Sequence, residues 1–161
     1  MLKEHDIAPN FTAFAVGGDW GNEATKLSLS DIHHRNILLY FYPKDLTSGC
    51  TKQAEGFRDR LAEFQRHDTQ IIGVSKDSIK RHLKFIEAHQ LNFPLISDEE
   101  VKLCQAYGVW VEKSMYGRKY MGIERSSFLI NKEKKLVKIW SKVKVPNHVE
   151  DVLSTLQSFS I

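Results

Sequence analysis

The stretch Phe41-Tyr42-Pro43-Lys44-Asp45-Leu46-Thr47-Ser48-Gly49-Cys50-Thr51 places a cysteine between a predicted strand and a predicted helix. Residues 36–41 are mostly apolar, which predicts a buried strand. Residues 51–66 carry apolar side chains every three or four positions, which predicts an amphipathic helix. A thiolate at the start of a helix is stabilised by unpaired N–H groups and by the positive end of the helix dipole. Because the thiolate is the nucleophilic form of cysteine, this position favours redox chemistry at Cys50.

The remaining sequence continues the alternation of strands and helices. Further strands are predicted at residues 11–16, 26–30, 70–74, 94–96, 126–130 and 137–145. Further helices are predicted at residues 78–89, 99–107 and 147–158, with Asp98 as the N-cap of the middle one. This order predicts an α/β fold with a mixed central sheet flanked by helices. The first two strands read as an N-terminal hairpin or an extended arm, and the last two as a late antiparallel hairpin.

Composition restricts the class of protein. A chain of 161 residues is long enough for one ordinary domain with its own core. No apolar run approaches the roughly 18 residues of a membrane span. The N-terminal residues contain no apolar signal segment, so a cytoplasmic location is expected. Two cysteines exclude a disulfide scaffold, and a net charge of +3 is too small to indicate a nucleic-acid partner.

Three residues near the cysteine, and a fourth much later in the chain, suggest a reactive site. Pro43 ends the strand and restricts the entrance of the loop. Thr47 lies three residues before Cys50, within reach of a hydrogen bond to the sulfur. Gly49 permits close backbone approach, so its N–H and that of Cys50 are candidates for binding a small polar ligand. Arg125 precedes a later strand, and its guanidinium reaches the sulfur if that strand adjoins residues 36–41.

These residues resemble the active-site segment of the peroxiredoxins, and of the bacterioferritin comigratory protein or PrxQ type in particular. The resemblance runs through residues 41–45, 47–51 and 56–59. Other similar stretches occur in family order over nearly the whole chain, at residues 7–11, 72–75, 92–98, 106–110 and 122–130. The resemblance implies a thioredoxin-like fold with an N-terminal β-hairpin extension, formed by a single domain over residues 1–161.

The resemblance also implies a set of roles. Cys50 would be the peroxidatic cysteine, Thr47 its hydrogen-bonding partner, Arg125 the catalytic arginine and Pro43 the shield of the site. The Cys50 thiolate would attack a peroxide oxygen of hydrogen peroxide or an organic hydroperoxide and become a sulfenic acid. Thioredoxin, glutaredoxin or glutathione would reduce the enzyme, and no cofactor or metal is expected.

The chain departs from its relatives at the resolving cysteine. Many relatives carry that cysteine five residues after the peroxidatic one, where this chain has Glu55. Others carry it near the position of Ile86, where there is again no cysteine. Cys104 remains as a possible resolving cysteine, although a small core residue is the better interpretation. We therefore expect a one-cysteine mechanism in a monomer or homodimer.

Several alternatives remain open at this stage. By itself, Cys50 is equally consistent with a small buried hydrophobic residue. A peroxide-sensing redox relay or a chaperone-like protein of the same fold would share Cys50 oxidation. The lysines of residues 132–144 alternate with apolar residues, which is typical of the solvated face of a strand rather than a nucleic-acid site. The seven histidines show no ligand spacing, so surface or loop positions are expected for them.

One aromatic segment has no clear assignment from sequence. Trp110, Met115, Tyr116 and Tyr120 fall in a predicted loop. This loop borders the active site, forms a dimer contact or is anchored by its own aromatic residues.

Overall fold

The computed structural model describes residues 1–159, which form one seven-stranded mixed sheet, one two-stranded sheet and five α-helices. The strands are β1 (Thr12–Val16), β2 (Thr25–Ser28), β3 (Asn36–Phe41), β4 (Thr69–Ser75), β5 (Leu95–Ser97), β6 (Trp110–Met115), β7 (Arg118–Ile123), β8 (Ser126–Ile130) and β9 (Leu136–Trp140). The α-helices are α1 (Ser48–Asp59), α2 (Leu61–Arg66), α3 (Ile79–His89), α4 (Lys102–Ala106) and α5 (His148–Ser158). None of the helices in this range is long and apolar enough to cross a membrane.

The main sheet has the strand order β2-β1-β5-β4-β3-β8-β9. Strands β3, β4 and β5 are mutually parallel, whereas β1 and β8 pair antiparallel with their neighbours in the sheet. The predicted mixed sheet, N-terminal hairpin and late hairpin are therefore confirmed. Strand β3 lies between β4 and β8, and every one of its residues is buried, as its apolar sequence predicts.

The main sheet separates two hydrophobic cores. Along β3, Leu39 and Phe41 belong to one core and Leu38 and Tyr40 to the other, because successive strand side chains point to opposite faces. The core that contains Tyr40 also contains Cys50 and apolar residues of α1, α3 and α5. The opposite core contains residues of α4. This division decides which side chains can contact Cys50.

The prediction of a single helix over residues 51–66 is wrong in two respects, namely where the helix begins and that it is unbroken. Helix α1 begins at Ser48, and the chain bends at Arg60 before α2 begins. The early start brings Cys50 into the first helical turn, where the N–H of Thr51 already donates to the carbonyl of Thr47. Apolar periodicity did not reveal this turn because the helix begins with small polar residues.

Helix α4 is shorter than predicted, and Asp98 is not its N-cap. Val101 holds the cap position in a left-handed conformation with φ of 54°. The Asp98 carboxylate nevertheless accepts hydrogen bonds from the N–H groups of Leu103 and Cys104, at 3.1 and 2.8 Å. A carboxylate that folds back from outside the helix satisfies the same unpaired donors as a cap residue.

Two differences concern strands. The predicted strand over residues 137–145 ends at Trp140. The segment interpreted as a loop forms the β6–β7 hairpin, in which Trp110 pairs with Ile123 and Lys113 pairs with Tyr120. Most of this hairpin is exposed, so it lacks the strict alternation of apolar and polar residues that a half-buried strand shows.

Candidate active site

Cys50 and Arg125 meet at the end of β3. Strand β8 adjoins β3 with Phe41 opposite Ser126, which places the residue before β8 beside the first turn of α1. The Arg125 Nη2 atom lies 3.3 Å from Cys50 Sγ. The cysteine is only 2% exposed, so this charged contact acts in a largely desolvated environment. The guanidinium therefore presents a hydrogen-bond donor directly to the sulfur.

Gln53 supports the arginine and was not predicted from the sequence. It lies one helical turn after Cys50, and its Oε1 atom accepts a hydrogen bond from Arg125 Nη1 at 2.5 Å. Gln53 is buried, and its Nε2 atom has no partner among residues 1–159. The guanidinium is thus held between the sulfur and a neutral amide. The sequence feature that could have indicated Gln53 is its position: it is a polar residue three positions after the cysteine, on the same helical face.

The loop residues occupy different positions around the sulfur. The Thr47 hydroxyl donates to the carbonyl of Lys44 at 2.9 Å, and within residues 1–159 it makes no hydrogen bond to Cys50. Pro43 is half-buried at the start of the loop. A Cβ atom at Gly49 would lie 3.5 Å from Arg125 Nη2, so glycine leaves the approach to the guanidinium open.

A buried hydrogen-bond network fixes the loop between β3 and α1. The Tyr42 hydroxyl donates to Asp45 Oδ1 at 2.6 Å, and Asp45 Oδ2 lies 2.6 Å from His82 Nδ1. His82 Nε2 lies 2.9 Å from the carbonyl oxygen of Ile96, which requires a proton on Nε2. A second proton must lie between His82 and Asp45. The pair is therefore net neutral whichever atom carries that proton.

Asp77 extends the network to β4 and α3. Its carboxylate accepts hydrogen bonds from the Asp45 N–H at 2.9 Å, the Ser75 hydroxyl at 2.6 Å and Arg81 Nε at 3.0 Å. Ligand atoms of Asp45, Asp77 and His82 lie within 4.8 Å of one another, a spacing that suits a metal ion. Each of them is, however, already engaged in a hydrogen bond within the network. We therefore interpret the cluster as a brace for the loop.

Two histidines are buried, contrary to the expected surface or loop positions. His82 is fully buried in the network, and His148 is 5% exposed at the start of α5. His148 Nε2 lies 2.8 Å from the Ser127 hydroxyl, and burial lowers the pKa of the imidazole to about 4. His148 is therefore neutral at physiological pH and adds no positive charge to that of Arg125.

Tyr40 lies in the same core as Cys50. Its hydroxyl has no hydrogen-bond partner among residues 1–159. Burial raises the pKa of Tyr40 well above its usual range, and the negative charges of Cys50 and Asp45 raise it further. The phenol therefore remains protonated at any physiological pH and does not act as a base in this core.

The structure does not bring Cys104 to the site. Its thiol is fully buried in the opposite core, on α4. Burial raises the pKa of Cys104 far above its usual range, and the neighbouring Asp98 carboxylate raises it further. Cys104 has the properties of an unreactive core thiol in this state of the protein.

Comparison with known proteins identifies the class. The AhpC/TSA family pattern matches residues 5–139, and the chain belongs to this family. Peroxiredoxin Bcp of Bacillus subtilis is 51% identical over 140 residues, which cover 87% of this chain and 89% of that protein. Peroxiredoxin Bcp of Escherichia coli is 39% identical over 156 residues, which cover 97% and 96%.

Solved structures give the same assignment. Peroxiredoxin Q of Xanthomonas campestris superposes with a TM-score of 0.85 at 38% identity, covering 94% of this chain and 92% of that one. A PrxQ variant of Xylella fastidiosa has a TM-score of 0.91 at 36% identity, covering 100% and 99%. The thioredoxin-like fold and the Bcp/PrxQ resemblance are thus confirmed. The protein is a thiol peroxidase that takes peroxide substrates and a thiol reductant.

Proposed function

We propose that Cys50 reduces hydrogen peroxide and organic hydroperoxides, and that an external thiol then restores it. The observation that carries this proposal is the 3.3 Å contact between Cys50 Sγ and Arg125 Nη2 in the first turn of α1. The bacterioferritin comigratory protein of Xanthomonas campestris, whose solved structure is 37% identical to this chain, has alkyl peroxide reduction activity. That activity in a relative supports organic hydroperoxides as substrates here.

The proposed step transfers one oxygen atom to sulfur. The Cys50 thiolate attacks one peroxide oxygen, an S–O bond forms and the O–O bond breaks. The electron pair of the O–O bond leaves with the second oxygen, which takes a proton and departs as water or an alcohol. Sulfur is oxidised by two electrons to a sulfenic acid.

The residues around the sulfur have separate parts in this step. Arg125 and the N–H groups of Gly49 and Cys50 stabilise the negative charge that develops on the departing oxygen. Thr47 is a hydroxyl partner for the reacting atoms once peroxide occupies the site. Pro43 shields the site from bulk water.

The second half of the cycle uses one cysteine of this chain. Thioredoxin, glutaredoxin or glutathione attacks the Cys50 sulfenic acid, water leaves, and a second thiol reduces the resulting mixed disulfide. The burial of Cys104 in the opposite core supports this route. We infer that the protein works in the cytoplasm, without a cofactor, as a monomer or homodimer.

Substitution of the cysteine tests the proposal. Cys50→Ser should abolish peroxide consumption with each of the three reductants, whereas Cys104→Ser should retain it. Substantial turnover by Cys50→Ser would overturn the proposal. Slow turnover by the unaltered protein, together with a stable mixed disulfide to a partner, would instead favour the redox-relay alternative.

A further inference from the structure

The outer half of the β6–β7 hairpin projects into solvent. Residues 114–121 are all exposed, whereas Ile123 at the base of the hairpin is buried and lies two positions before Arg125. The ladder runs from Trp110 paired with Ile123 to Met115 paired with Arg118, which is a length of about 17 Å. The hairpin therefore presents its tip at a distance from its buried base, as a separate exposed surface.

The turn at the tip contains a tyrosine where the backbone favours asparagine or glycine. Tyr116 and Gly117 connect the two strands, and both have a positive φ, of 51° and 78°. This is the pattern of a type I′ turn, in which Asn-Gly is a preferred pair. A bulky side chain is disfavoured in this left-handed region. Tyr116 is also 99% exposed, so neither turn geometry nor burial in the fold explains its ring.

The residues beside Tyr116 are apolar on one side and basic on the other. Met115 precedes it and is 56% exposed. Arg118 is opposite Met115 and Lys119 is opposite Ser114, so the two cations lie on different faces of the ladder. Neither cation forms an ion pair with another of residues 1–159. The tip therefore presents an aromatic ring and a thioether together with two positive charges.

We propose that this tip docks on the surface of a bilayer that contains anionic phospholipids. The Tyr116 ring and Met115 enter the boundary between headgroups and acyl chains, where tyrosine is enriched in membrane proteins. Arg118 and Lys119 pair with the negatively charged headgroups. Docking of this kind requires no segment that spans the membrane. It goes beyond the proposed function, because it does not depend on the reaction with peroxide.

The shape and charge of the tip favour a bilayer over another protein. A stable protein interface buries about 800 Å² on each partner, and a projecting two-residue turn offers no such area. A symmetric contact with a second copy would bring Arg118 and Lys119 of each copy towards the same cations of the other. An anionic bilayer supplies both an apolar layer for the ring and a continuous negative surface for the cations.

Co-sedimentation with vesicles tests the docking. The reduced protein is mixed with vesicles of phosphatidylcholine alone, or of phosphatidylcholine and phosphatidylglycerol in equal amounts. At about 20 mM sodium chloride, the partition coefficient should be about tenfold or more higher for the anionic vesicles. At about 500 mM it should fall severalfold, because the two cations are exposed. Equal partition into both kinds of vesicle at low salt would overturn the proposal.

Variants of the turn locate the docking at the tip. Tyr116→Asn removes the ring and supplies a residue that type I′ turns prefer, so the hairpin should still form. Its partition into anionic vesicles should fall severalfold, while unchanged consumption of hydrogen peroxide shows that the protein is folded. Arg118→Gln combined with Lys119→Gln should also weaken partition severalfold. Lys135→Gln combined with Lys144→Gln makes the same charge change on exposed residues outside the hairpin, and should retain most of the partition.

Insertion of the turn has its own readout. Tyr116→Trp places an additional fluorophore at the tip. Dibrominated phosphatidylcholine in the anionic vesicles should quench this variant more strongly than the unaltered protein, whose tryptophans lie outside the turn. If the variant shows no additional quenching, the ring remains outside the bilayer and the proposal is wrong.

The remaining outcomes are also decisive. An equal loss of partition in both double variants contradicts the proposal, because the net charge of the protein would then determine binding. A raised KM for a protein reductant in Tyr116→Asn, without vesicle binding by the unaltered protein, would assign the tip to a protein partner instead. Neither result bears on peroxide reduction, which fails only if Cys50 consumes no hydroperoxide.

Discussion

Cys50 and Cys104 are buried on opposite faces of the same sheet. Cys50 packs with Tyr40 in the core beneath α1, and Cys104 packs with Phe41 in the core beneath α4. A disulfide requires Cα atoms no more than about 7 Å apart, and side chains on the two faces of a sheet do not meet that requirement. An internal disulfide would therefore require large-scale unfolding around the sheet.

This arrangement predicts the product of a single oxidation. After one equivalent of peroxide, the intact protein should gain the mass of one oxygen atom. It should not lose the mass of two hydrogens. Mass spectrometry of the unaltered protein and of Cys104→Ser should give the same gain. If only the unaltered protein loses two hydrogens, Cys104 is the resolving cysteine and the one-cysteine route is wrong.

Gln53 should act on catalysis through Arg125. Gln53→Leu keeps a similar size but removes the oxygen that accepts from Arg125 Nη1. A hydrogen bond to a charged group contributes about 1.5 kcal/mol or more, so kcat/KM should fall about tenfold. The rate of Cys50 alkylation by iodoacetamide, followed against pH, should change as well.

Two variants separate positioning by Gln53 from a general packing role. Gln53→Glu restores an acceptor and should recover much of the lost activity. Gln105→Leu makes the same chemical change at an exposed position on α4 and should leave kcat/KM unchanged. If Gln53→Glu is as impaired as Gln53→Leu, the contact with Arg125 is not the reason for the effect.

The sequence indicated Cys50 and Arg125, and it missed Gln53 and the buried network around His82. Cys50 was predictable because a strand, a loop and a helix follow one another along the chain. Arg125 was predictable as a residue at the start of a strand that adjoins β3. His82 was missed because its partner Asp45 lies 37 positions away, and only the packing of α3 brings them together. Helical periodicity around His82 carries no information about a buried carboxylate.

The bond between His82 and Asp45 should contribute strongly to stability. Both side chains are fully buried, and removal of one partner leaves the other polar group without compensation. His82→Leu should therefore lower the free energy of unfolding by about 3 kcal/mol, measured by urea denaturation. Hydrogen exchange should also increase in residues 43–47, because the network holds this loop.

A double-mutant cycle distinguishes this bond from simple packing. The double variant with His82→Leu and Asp45→Leu should lose less unfolding free energy than the sum of the losses in the two single variants. The reason is that the double variant leaves neither polar side chain buried without its partner. His33→Leu replaces an exposed histidine and should change stability by less than about 0.5 kcal/mol. Strict additivity of the two changes would show that His82 and Asp45 are not coupled.

His148 should make the protein less stable in acid. Its pKa is about 4 in the folded protein, against an ordinary value of 6.5 that applies when the chain is unfolded. At pH 7 both states are neutral at this position, and no free energy is gained or lost. As the pH falls below 6.5, the unfolded chain binds a proton that the folded protein does not. The unfolded state is therefore favoured increasingly down to about pH 4.

The effect is measurable as a difference between two proteins. The gap between the two pKa values corresponds to about 3 kcal/mol in total, fully lost by about pH 4. His148→Gln keeps a hydrogen-bonding group near Ser127 but does not titrate. In urea denaturation, this variant should be less stable than the unaltered protein at pH 7. At pH 4.5 it should be equally stable or more stable than the unaltered protein. Other groups titrate alike in both proteins. Parallel stability curves across this range would therefore mean that His148 binds a proton as readily in the folded protein as in the unfolded chain.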